Sequence, residues 1–275
     1  MKIWLITGCS SGIGRGVARA ALAKGDNVVV TARSVSGVKE LVGEYPDRAF
    51  AAALDLTVPE TIDTAFQAAM ERFGRIDVLV NNAGYGYRSA VEEGEDKRVR
   101  ALYETNLFGP LTLIKKVLPQ MREQQEGTIV NVTSIAAVRS AVGSAYYASS
   151  KAAMKILTNG LQKELAPLGI RVLEVQPGAF QTRFYDDSLQ GTRNKIDAYE
   201  ETVGKSRPEN LKPVQRPGDP EKGGQVIVDT VLGEKMPKIL YLGDDALRVV
   251  TDEYTTLLKE LVEWAPVSHK SNYNV

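Results

Sequence analysis

Tyr147, Lys151 and Ser134 are the residues of this chain whose types and spacing are best suited to chemistry. A phenol ordinarily ionises near pH ~10, which is too high for useful proton exchange at neutral pH. Residues four apart share one face of a helix, so the Lys151 ammonium would favour the phenolate and lower the pKa of Tyr147. Ser134, at the end of a neighbouring strand, would hold the reacting oxygen. This spacing predicts proton exchange through a tyrosine, and a surface Tyr-Lys pair is the alternative.

The composition is that of a soluble globular protein, with 275 residues, 43% hydrophobic and 25% charged. Because 34 basic residues balance 34 acidic ones, charge favours neither nucleic acid nor an anionic membrane as a partner. No apolar run approaches the ~20 residues needed to span a bilayer. The single cysteine, Cys9, excludes an internal disulfide and predicts a cytoplasmic location. With one histidine, His269, and no metal-ligand spacing, we predict no metal site.

Short apolar strands alternate with longer helical stretches along the chain. Repeated β-α-β order forces right-handed crossovers and a parallel sheet covered by helices on both faces. Thr57 and Glu60 are predicted to form a capping box before the third helix. The predicted strands are 3–7, 27–31, 49–54, 78–81, 127–132, 171–176 and 238–242, with helices beginning near Gly12, Val35, Pro59, Lys97, Tyr147, Pro220 and Asp244. No low-complexity linker divides this pattern, so residues 1–275 are predicted to form a single domain.

Residues 180–217 depart from the regular alternation, because they are polar and irregular and include Gly191, Gly204, Pro208 and Pro213. Long connections in compact domains are usually functional lids or mobile loops. Their place directly after a strand predicts a lid over the site, with a surface insertion as the alternative.

A glycine-rich turn follows the first strand and leads into an alanine-rich helix. Glycines let backbone amides approach a pyrophosphate, and the helix N-terminus adds partial positive charge. The cofactor-binding residues predicted here are Gly8, Ser10, Ser11, Gly12, Ile13 and Gly14. The end of the second strand carries Arg33 and no acid, so it favours the 2′-phosphate of NADP(H), with NAD(H) as an open alternative.

Two further strand ends are predicted to meet the cofactor. Asp55, next to Leu56, would either accept a hydrogen bond from the adenine amino group or cap a turn. Asn82, Ala83 and Gly84 end the fourth strand, where small residues would let the backbone lie against the cofactor.

With these motifs in order, the chain resembles the short-chain dehydrogenase/reductase superfamily. The likeness is strong over about the first 185 residues. The residues of the glycine-rich motif and the long C-terminal part are similar to the branch resembling 17β-hydroxysteroid and retinol dehydrogenases. The motifs are Thr7 to Gly14, Asp55, Asn81 to Gly84, Asn106, Ser134, Tyr147 with Lys151, Pro177-Gly178 and Thr182. The resemblance implies a Rossmann-type doubly wound sheet of about seven strands.

The resemblance also implies catalytic roles. Tyr147 is the general acid in reduction, Lys151 lowers its pKa and binds the nicotinamide ribose, and Ser134 positions the carbonyl oxygen. Asn106 helps hold a water that relays protons to Lys151, while Thr182 bonds the nicotinamide carboxamide. Tyr146 is not assigned, because its i+4 residue is a serine.

These residues predict NADPH-dependent reduction of a ketone or aldehyde to an alcohol. The alternatives are an NAD(P)-dependent alcohol dehydrogenase and, more remotely, a non-catalytic NADP-binding sensor. A small hydrophobic carbonyl compound is the expected substrate, and a homodimer or homotetramer is expected through helices that carry Ala148, Ala152 and Ala153. The predicted substrate pocket consists of Tyr85, Tyr87, Val138, Val142, Phe184 and Tyr185.

Overall fold

A computed structural model of the protein, which describes residues 1–212 and 214–273, contains one sheet of seven parallel strands. The strand order is β3-β2-β1-β4-β6-β7-β9, so the chain winds outward in both directions from the centre. The predicted fold class is confirmed. The strands of this sheet are β1 Ile3–Ile6, β2 Asn27–Ala32, β3 Ala49–Ala53, β4 Val78–Asn81, β6 Gly127–Val132, β7 Ile170–Pro177 and β9 Ile239–Leu242.

Helices cover both faces of this sheet because its strands are apolar on both sides. One core packs against α1 and α7 through side chains such as Val17 and Ile227. The other packs against α3, α5 and α6 through side chains such as Ile62, Leu113 and Leu161. The helices are α1 Gly12–Ala23, α2 Lys39–Glu44, α3 Pro59–Phe73, α4 Asp96–Tyr103, α5 Gly109–Gln124, α6 Ala145–Leu165, α7 Pro220–Leu232 and α8 Asp244–Ser268.

Helix α1 crosses α7 with almost no space between the backbones. A Cβ on Gly16 would lie 2.2 Å from the Pro220 carbonyl oxygen, and one on Gly224 would lie 2.1 Å from the Gly16 carbonyl carbon. Glycine is therefore required at both positions to bring α7 against the first helix. This close crossing fixes the position of α1, whose N-terminus lies at the glycine-rich turn.

The helix predicted to begin near Lys97 corresponds to two observed helices, α4 and α5. The chain runs from α4 through a π-helical turn, Glu104–Phe108, directly into α5, so one long helical region stands where a single start near Lys97 was predicted.

The predicted capping box before α3 is wrong. The N-cap residue is Val58, and the Thr57 hydroxyl instead donates to Asp55 Oδ1 at 2.7 Å. Asp55 also accepts from the Thr57 backbone N–H at 2.9 Å, so the aspartate forms a local turn that competes with the cap.

The segment 180–217 is attached to the domain by a short strand pair and a buried ion pair. Its strand β8, Leu189–Gly191, pairs in parallel with β5, Gly86–Arg88. Arg207 Nη2 lies 2.7 Å from Glu93 Oε1, and both side chains are almost fully buried. Pro213 of the predicted lid and residues 274–275 of the predicted domain lie outside the described residues.

No helix within the described part of the chain has both the length and the apolar character needed to cross a bilayer.

Candidate active site

The carboxyl ends of the central strands open onto one cavity of about 640 Å³. It spans the point between β1 and β4 where the strand order changes direction, which is where ligands bind in open parallel sheets. The glycine-rich turn lines one part of the cavity, and Ser134, Tyr147 and Lys151 line another. The structure therefore brings the predicted cofactor and catalytic motifs together.

The three predicted catalytic side chains come from two neighbouring elements. Ser134 follows β6, and its Oγ accepts a hydrogen bond from the Ala136 N–H at 3.1 Å. Tyr147 and Lys151 stand one turn apart in α6. The buried Lys151 Nζ donates to the Val132 carbonyl oxygen at 3.0 Å, which holds the ammonium against the end of β6.

Burial sets the protonation of this pair. It raises the pKa of Tyr147 to about 12; Tyr185 adds to the rise, while Ser134 and Arg88 oppose it. Burial also lowers the pKa of Lys151 to about 8. The direction for Tyr147 is opposite to the one predicted from the i+4 spacing. The loss of water around the phenol outweighs the nearby cation, and the Lys151 ammonium is directed to the Val132 carbonyl.

Asn106 lies in the π-helical turn, a feature that often marks functional sites. Its side chain is almost fully buried and is held by three hydrogen bonds. Oδ1 accepts from the Tyr85 N–H at 3.2 Å, and Nδ2 donates to the Tyr85 carbonyl at 3.1 Å and to Ser150 Oγ at 3.0 Å. A Cβ on Gly84 would meet both Asn106 Oδ1 and Lys151 Nζ, at 3.0 and 3.3 Å. Asn106 thus stands behind the cavity wall, next to the lysine.

The glycine-rich turn has the shape that a pyrophosphate requires. Gly8 and Gly12 have φ values of +74° and +62°, which side chains with a Cβ rarely adopt. Helix α1 begins at Gly12, so its free N–H groups and partial positive charge face the cavity. Ser10, Ser11 and Ile13 line the cavity as predicted. These residues form a cradle suited to a dinucleotide.

Asn82 and Gly14 support the turn from behind. Asn82 Nδ2 donates to the carbonyls of Thr7 and Gly8 at 2.9 and 3.3 Å. A Cβ on Gly14 would lie 2.2 Å from that same Nδ2, so Gly14 is needed for packing and lies outside the cavity lining. Asn82 and Ala83 themselves line the cavity.

The adenine end of the cavity is formed by residues that follow β2 and β3. Arg33 lines it, is exposed, and has no carboxylate within 4.0 Å in the described chain. Asp55 and Leu56 line it as well. Because Asp55 Oδ1 is engaged by Thr57, the turn-capping role of Asp55 is observed, while its role toward adenine stays a prediction.

The opposite end is formed by Pro177, Gly178 and Thr182, which line the cavity after β7. Sequence reasoning missed the residue that braces them. Asp245 Oδ2, at the start of α8, accepts from the Ala179 N–H at 2.7 Å, and a Cβ on Gly178 would lie 2.2 Å from Asp245 Oδ1. A carboxylate about 65 residues away gives no local signal in the sequence.

Of the six predicted substrate residues, Tyr85, Phe184 and Tyr185 line the cavity. The Phe184 ring lies 5.6 Å from the Tyr147 ring and 5.3 Å from the Tyr185 ring, centroid to centroid, which places an aromatic surface beside the phenol that is predicted to be catalytic.

Tyr87, Val138 and Val142 do not line the cavity. Tyr87 is fully buried, and its hydroxyl accepts from the Glu95 N–H at 3.1 Å, so it belongs to the core. Val142 is 59% exposed on the outer surface. Sequence reasoning missed Arg88 and Gln190, which do line the cavity from the short β5–β8 pair.

Comparison with known proteins decides the family. Residues 2–192 match the family model of the short chain dehydrogenases. The chain belongs to the short-chain dehydrogenase family. It is an oxidoreductase that acts on CH–OH or C=O groups with a nicotinamide cofactor. A separate likeness to the 17β-hydroxysteroid and retinol dehydrogenase branch stays a prediction.

Several relatives of this dehydrogenase cover nearly its whole length. It is 35% identical to oxidoreductase BOA17 of Botryotinia fuckeliana over 97% of its own length and 98% of the relative. A crystal structure of a short-chain dehydrogenase from Streptomyces avermitilis is 42% identical, with a TM-score of 0.90 over 98% of both chains. The 3-ketoacyl-(acyl-carrier-protein) reductase of Brucella melitensis, solved with NADH, is 28% identical with a TM-score of 0.75, covering 90% of this chain and 98% of that one.

Proposed function

We propose that this dehydrogenase reduces a ketone or aldehyde carbonyl to an alcohol, with NADPH as cofactor and Tyr147 as the general acid. The observation that carries the proposal is that Tyr147, Ser134 and Lys151 line the same cavity as the glycine-rich turn. Burial raises the pKa of Tyr147, so the phenol keeps its proton at neutral pH. A proton donor is the group that carbonyl reduction requires.

In this proposal, different residues bind the cofactor and act on the carbonyl group. The turn from Gly8 to Gly14 would hold the pyrophosphate, and Lys151 and Thr182 would hold the nicotinamide end. When bound, a reduced nicotinamide supplies the hydride. The hydroxyls of Ser134 and Tyr147 donate hydrogen bonds to the carbonyl oxygen, where negative charge develops. Tyr147 then passes its proton to that oxygen, a contribution of about 10²- to 10⁴-fold in rate.

Asn106 and Lys151 act behind the tyrosine in this proposal. The ammonium of Lys151 stabilises the phenolate left after proton transfer. Asn106 is fixed by its three hydrogen bonds next to Lys151, which suits the implied role in proton supply. A rigid support of this kind preserves the geometry of a proton-transfer site.

NADPH is preferred in this proposal because of Arg33. The Arg33 guanidinium at the end of β2 has no carboxylate partner among residues 1–212 and 214–273, which suits a 2′-phosphate, whereas NAD-binding sites usually have an acid there. The Brucella relative was solved with NADH, so the family alone does not decide the cofactor.

The oxidative alternative requires Tyr147 as a base. Because burial raises the pKa of Tyr147, the phenol is ready to act as an acid and must first lose its proton to act as a base; a bound cation would favour that loss. The sensor alternative is disfavoured because Ser134, Tyr147 and Lys151 line one cavity.

We also expect the dehydrogenase to form a homodimer or homotetramer and to work in the cytoplasm. Ala148 is buried inside its own chain, so the predicted contact through this alanine is disfavoured. Ile156 on α6 is 68% exposed, and Leu261 on α8 is 67% exposed, which leaves apolar surface for a second copy. Light scattering after size exclusion measures the assembly, and a purely monomeric protein would contradict this expectation.

The test of the proposed function is NADPH consumption by the purified protein with a broad panel of ketones and aldehydes. Tyr147→Phe should lower kcat by about 10²- to 10⁴-fold while NADPH binding, followed by fluorescence, is retained. Tyr146→Phe is the matched control, because the Tyr146 hydroxyl donates to the Val91 carbonyl at 2.7 Å outside the cavity lining. Equal rates for Tyr147→Phe and the control would rule out Tyr147 as the acid.

A further inference from the structure

Arg88 is a cation in the wall of the active-site cavity that takes no part in the proposed hydride and proton transfer. It ends β5, is half-buried, and lines the cavity together with Tyr147, Phe184 and Tyr185. Its Nη1 donates to the Val142 carbonyl oxygen at 2.9 Å. This contact fixes one edge of the guanidinium and does not engage its other N–H groups.

One of those groups has no acceptor. Within residues 1–212 and 214–273, the buried Nε of Arg88 has no hydrogen-bond partner, and no carboxylate lies within 4.0 Å of the guanidinium. Burial lowers the pKa of Arg88, as expected for a cation that has lost water without gaining an anion. Buried polar groups in native proteins are almost always satisfied, so an unsatisfied cation at a cavity wall points to an acceptor that a ligand supplies.

The charged surroundings favour an anion at this end of the cavity. Arg139 also lines the cavity and is exposed. The acidic side chains in the cavity lining are Asp55 and Asp187, and neither lies within 4.0 Å of Arg88 or Arg139. The lining thus carries three arginines, Arg33, Arg88 and Arg139, and Lys151 against two carboxylates.

We infer that Arg88 is a specificity-determining residue that binds an anionic group, most simply a carboxylate, of the carbonyl substrate. The guanidinium fork matches a carboxylate in shape and charge. The rings of Phe184 and Tyr185 line the same cavity as Arg88 and Tyr147, and the Phe184 ring lies 5.6 Å from the Tyr147 ring. The substrate class is thus a keto acid with an apolar, flat body, which refines the hydrophobic carbonyl compound expected from the sequence. This inference rests on the proposed function.

A purely structural role for Arg88 is the competing explanation, because its bond to the Val142 carbonyl ties β5 to the loop before α6. That role predicts equal losses for every substrate. Binding of a substrate anion predicts a loss confined to charged substrates. Matched acids and esters therefore separate the two explanations.

The experiment compares phenylglyoxylate, benzoylacetate and 3-benzoylpropanoate with their methyl esters, using NADPH consumption as the readout. The three acids place the carboxylate at increasing distances from the carbonyl. The wild-type protein should show a higher kcat/KM for at least one acid than for its ester. Arg88→Met should lower that acid-to-ester ratio by about 10- to 150-fold, the range for losing a hydrogen bond to a charged group. Arg88→Lys should recover part of the ratio.

Arg193→Met is the control for the loss of one positive charge. Arg193 is exposed, lies outside the cavity lining, and shows no side-chain ion pair in the described chain. Its acid-to-ester ratio should equal that of the wild type. Equal losses on acid and ester in Arg88→Met, or esters reduced as well as acids by the wild type, would overturn the inference and leave the proposed function standing.

A binding measurement separates failure of the inference from failure of the proposed function. Calorimetry with 3-phenylpropanoate and 3-phenylpropanamide, in the presence of NADP⁺, requires no turnover. Tighter binding of the carboxylate that is lost in Arg88→Met would support the anion site even if no ketone were reduced. Equal binding of acid and amide by the wild type would refute it.

Discussion

Replacing Glu93 by glutamine should detach the segment that carries one wall of the cavity. Glu93 is fully buried and holds this segment through the 2.7 Å contact with Arg207 and a 2.9 Å bond from the Ile196 N–H to Oε1. Its Oε2 accepts from the Ala90 N–H at 3.0 Å. Glutamine has only one acceptor oxygen, so Glu93→Gln leaves at least one of these donors unpaired and removes the buried charge opposite Arg207.

Breaking a buried ion pair from one side costs about 3–5 kcal/mol when the other charge stays buried without compensation. Arg207 also pairs with the half-exposed Glu200, which places the expected loss at the lower end of that range. We expect a loss of that size in the free energy of opening the segment. Glu209→Gln is the matched control, since Glu209 pairs with Lys195 at 2.7 Å in the same segment but is 47% exposed. An exposed pair contributes about 0–1 kcal/mol.

Hydrogen exchange over residues 189–211 and urea unfolding measure the effect. Exchange in Glu93→Gln should accelerate by more than about 100-fold, the equivalent of 3 kcal/mol. A change no larger than that of Glu209→Gln would refute the reasoning, since it would show that the pair contributes no more than a surface contact.

The effect also has a pH dependence. Burial raises the pKa of Glu93, but the N–H groups of Ile196 and Ala90 and the Arg207 guanidinium together hold it below its usual range. A depressed carboxyl pKa stabilises the fold above the unfolded value near pH ~4.3, and the contribution is lost as pH falls through the folded pKa. The difference between wild type and Glu93→Gln should therefore shrink under acid conditions.

Three further predictions follow from the site and the core. Arg33→Asp should raise KM for NADPH relative to NADH by about 10- to 150-fold. Steady-state kinetics with both cofactors measure this ratio, and equal changes in the two KM values would contradict the proposal that Arg33 binds the 2′-phosphate. The pKa of Lys151, lowered by burial to about 8, means that its positive charge is present below pH 8 and lost above it, so kcat/KM for reduction of a neutral ketone should fall as pH rises through 8. A profile that stays flat to pH 10 would show that this charge does not support the reaction. Gly16→Ala should destabilise the fold by about 1–3 kcal/mol through overpacking against the Pro220 carbonyl. Gly43→Ala is the control: a Cβ there meets nothing within 4 Å, so the change should stabilise α2 by about 0.5–1 kcal/mol. Urea unfolding of both variants measures the contrast, and equal effects would argue against the tight crossing of α1 and α7.

Local sequence patterns were enough to predict the alternation of strands and helices, the class of sheet and the set of motifs at its carboxyl edge. The strand predicted at 127–132 coincides with β6, and the helices predicted near Gly12, Pro59 and Asp244 begin at those residues. These features are local, because hydrophobic period, glycine turns and proline starts act within a few residues. Ser134 and Tyr147 reach one cavity for the same reason, since strand ends and helix starts meet at one edge of a parallel sheet.

The packing of the whole chain sets which side chains line the cavity and how their pKa values shift. The β5–β8 pair joins Arg88 to Gly191 across about a hundred residues, so no short-range sequence pattern predicts this pairing. The same packing buried Tyr87, exposed Val142 and raised the pKa of Tyr147 where spacing alone predicted a lower one. Burial and long-range pairing depend on the whole folded chain, and for Tyr147 the removal of the phenol from water outweighs the opposing influence of Ser134 and Arg88 on its pKa.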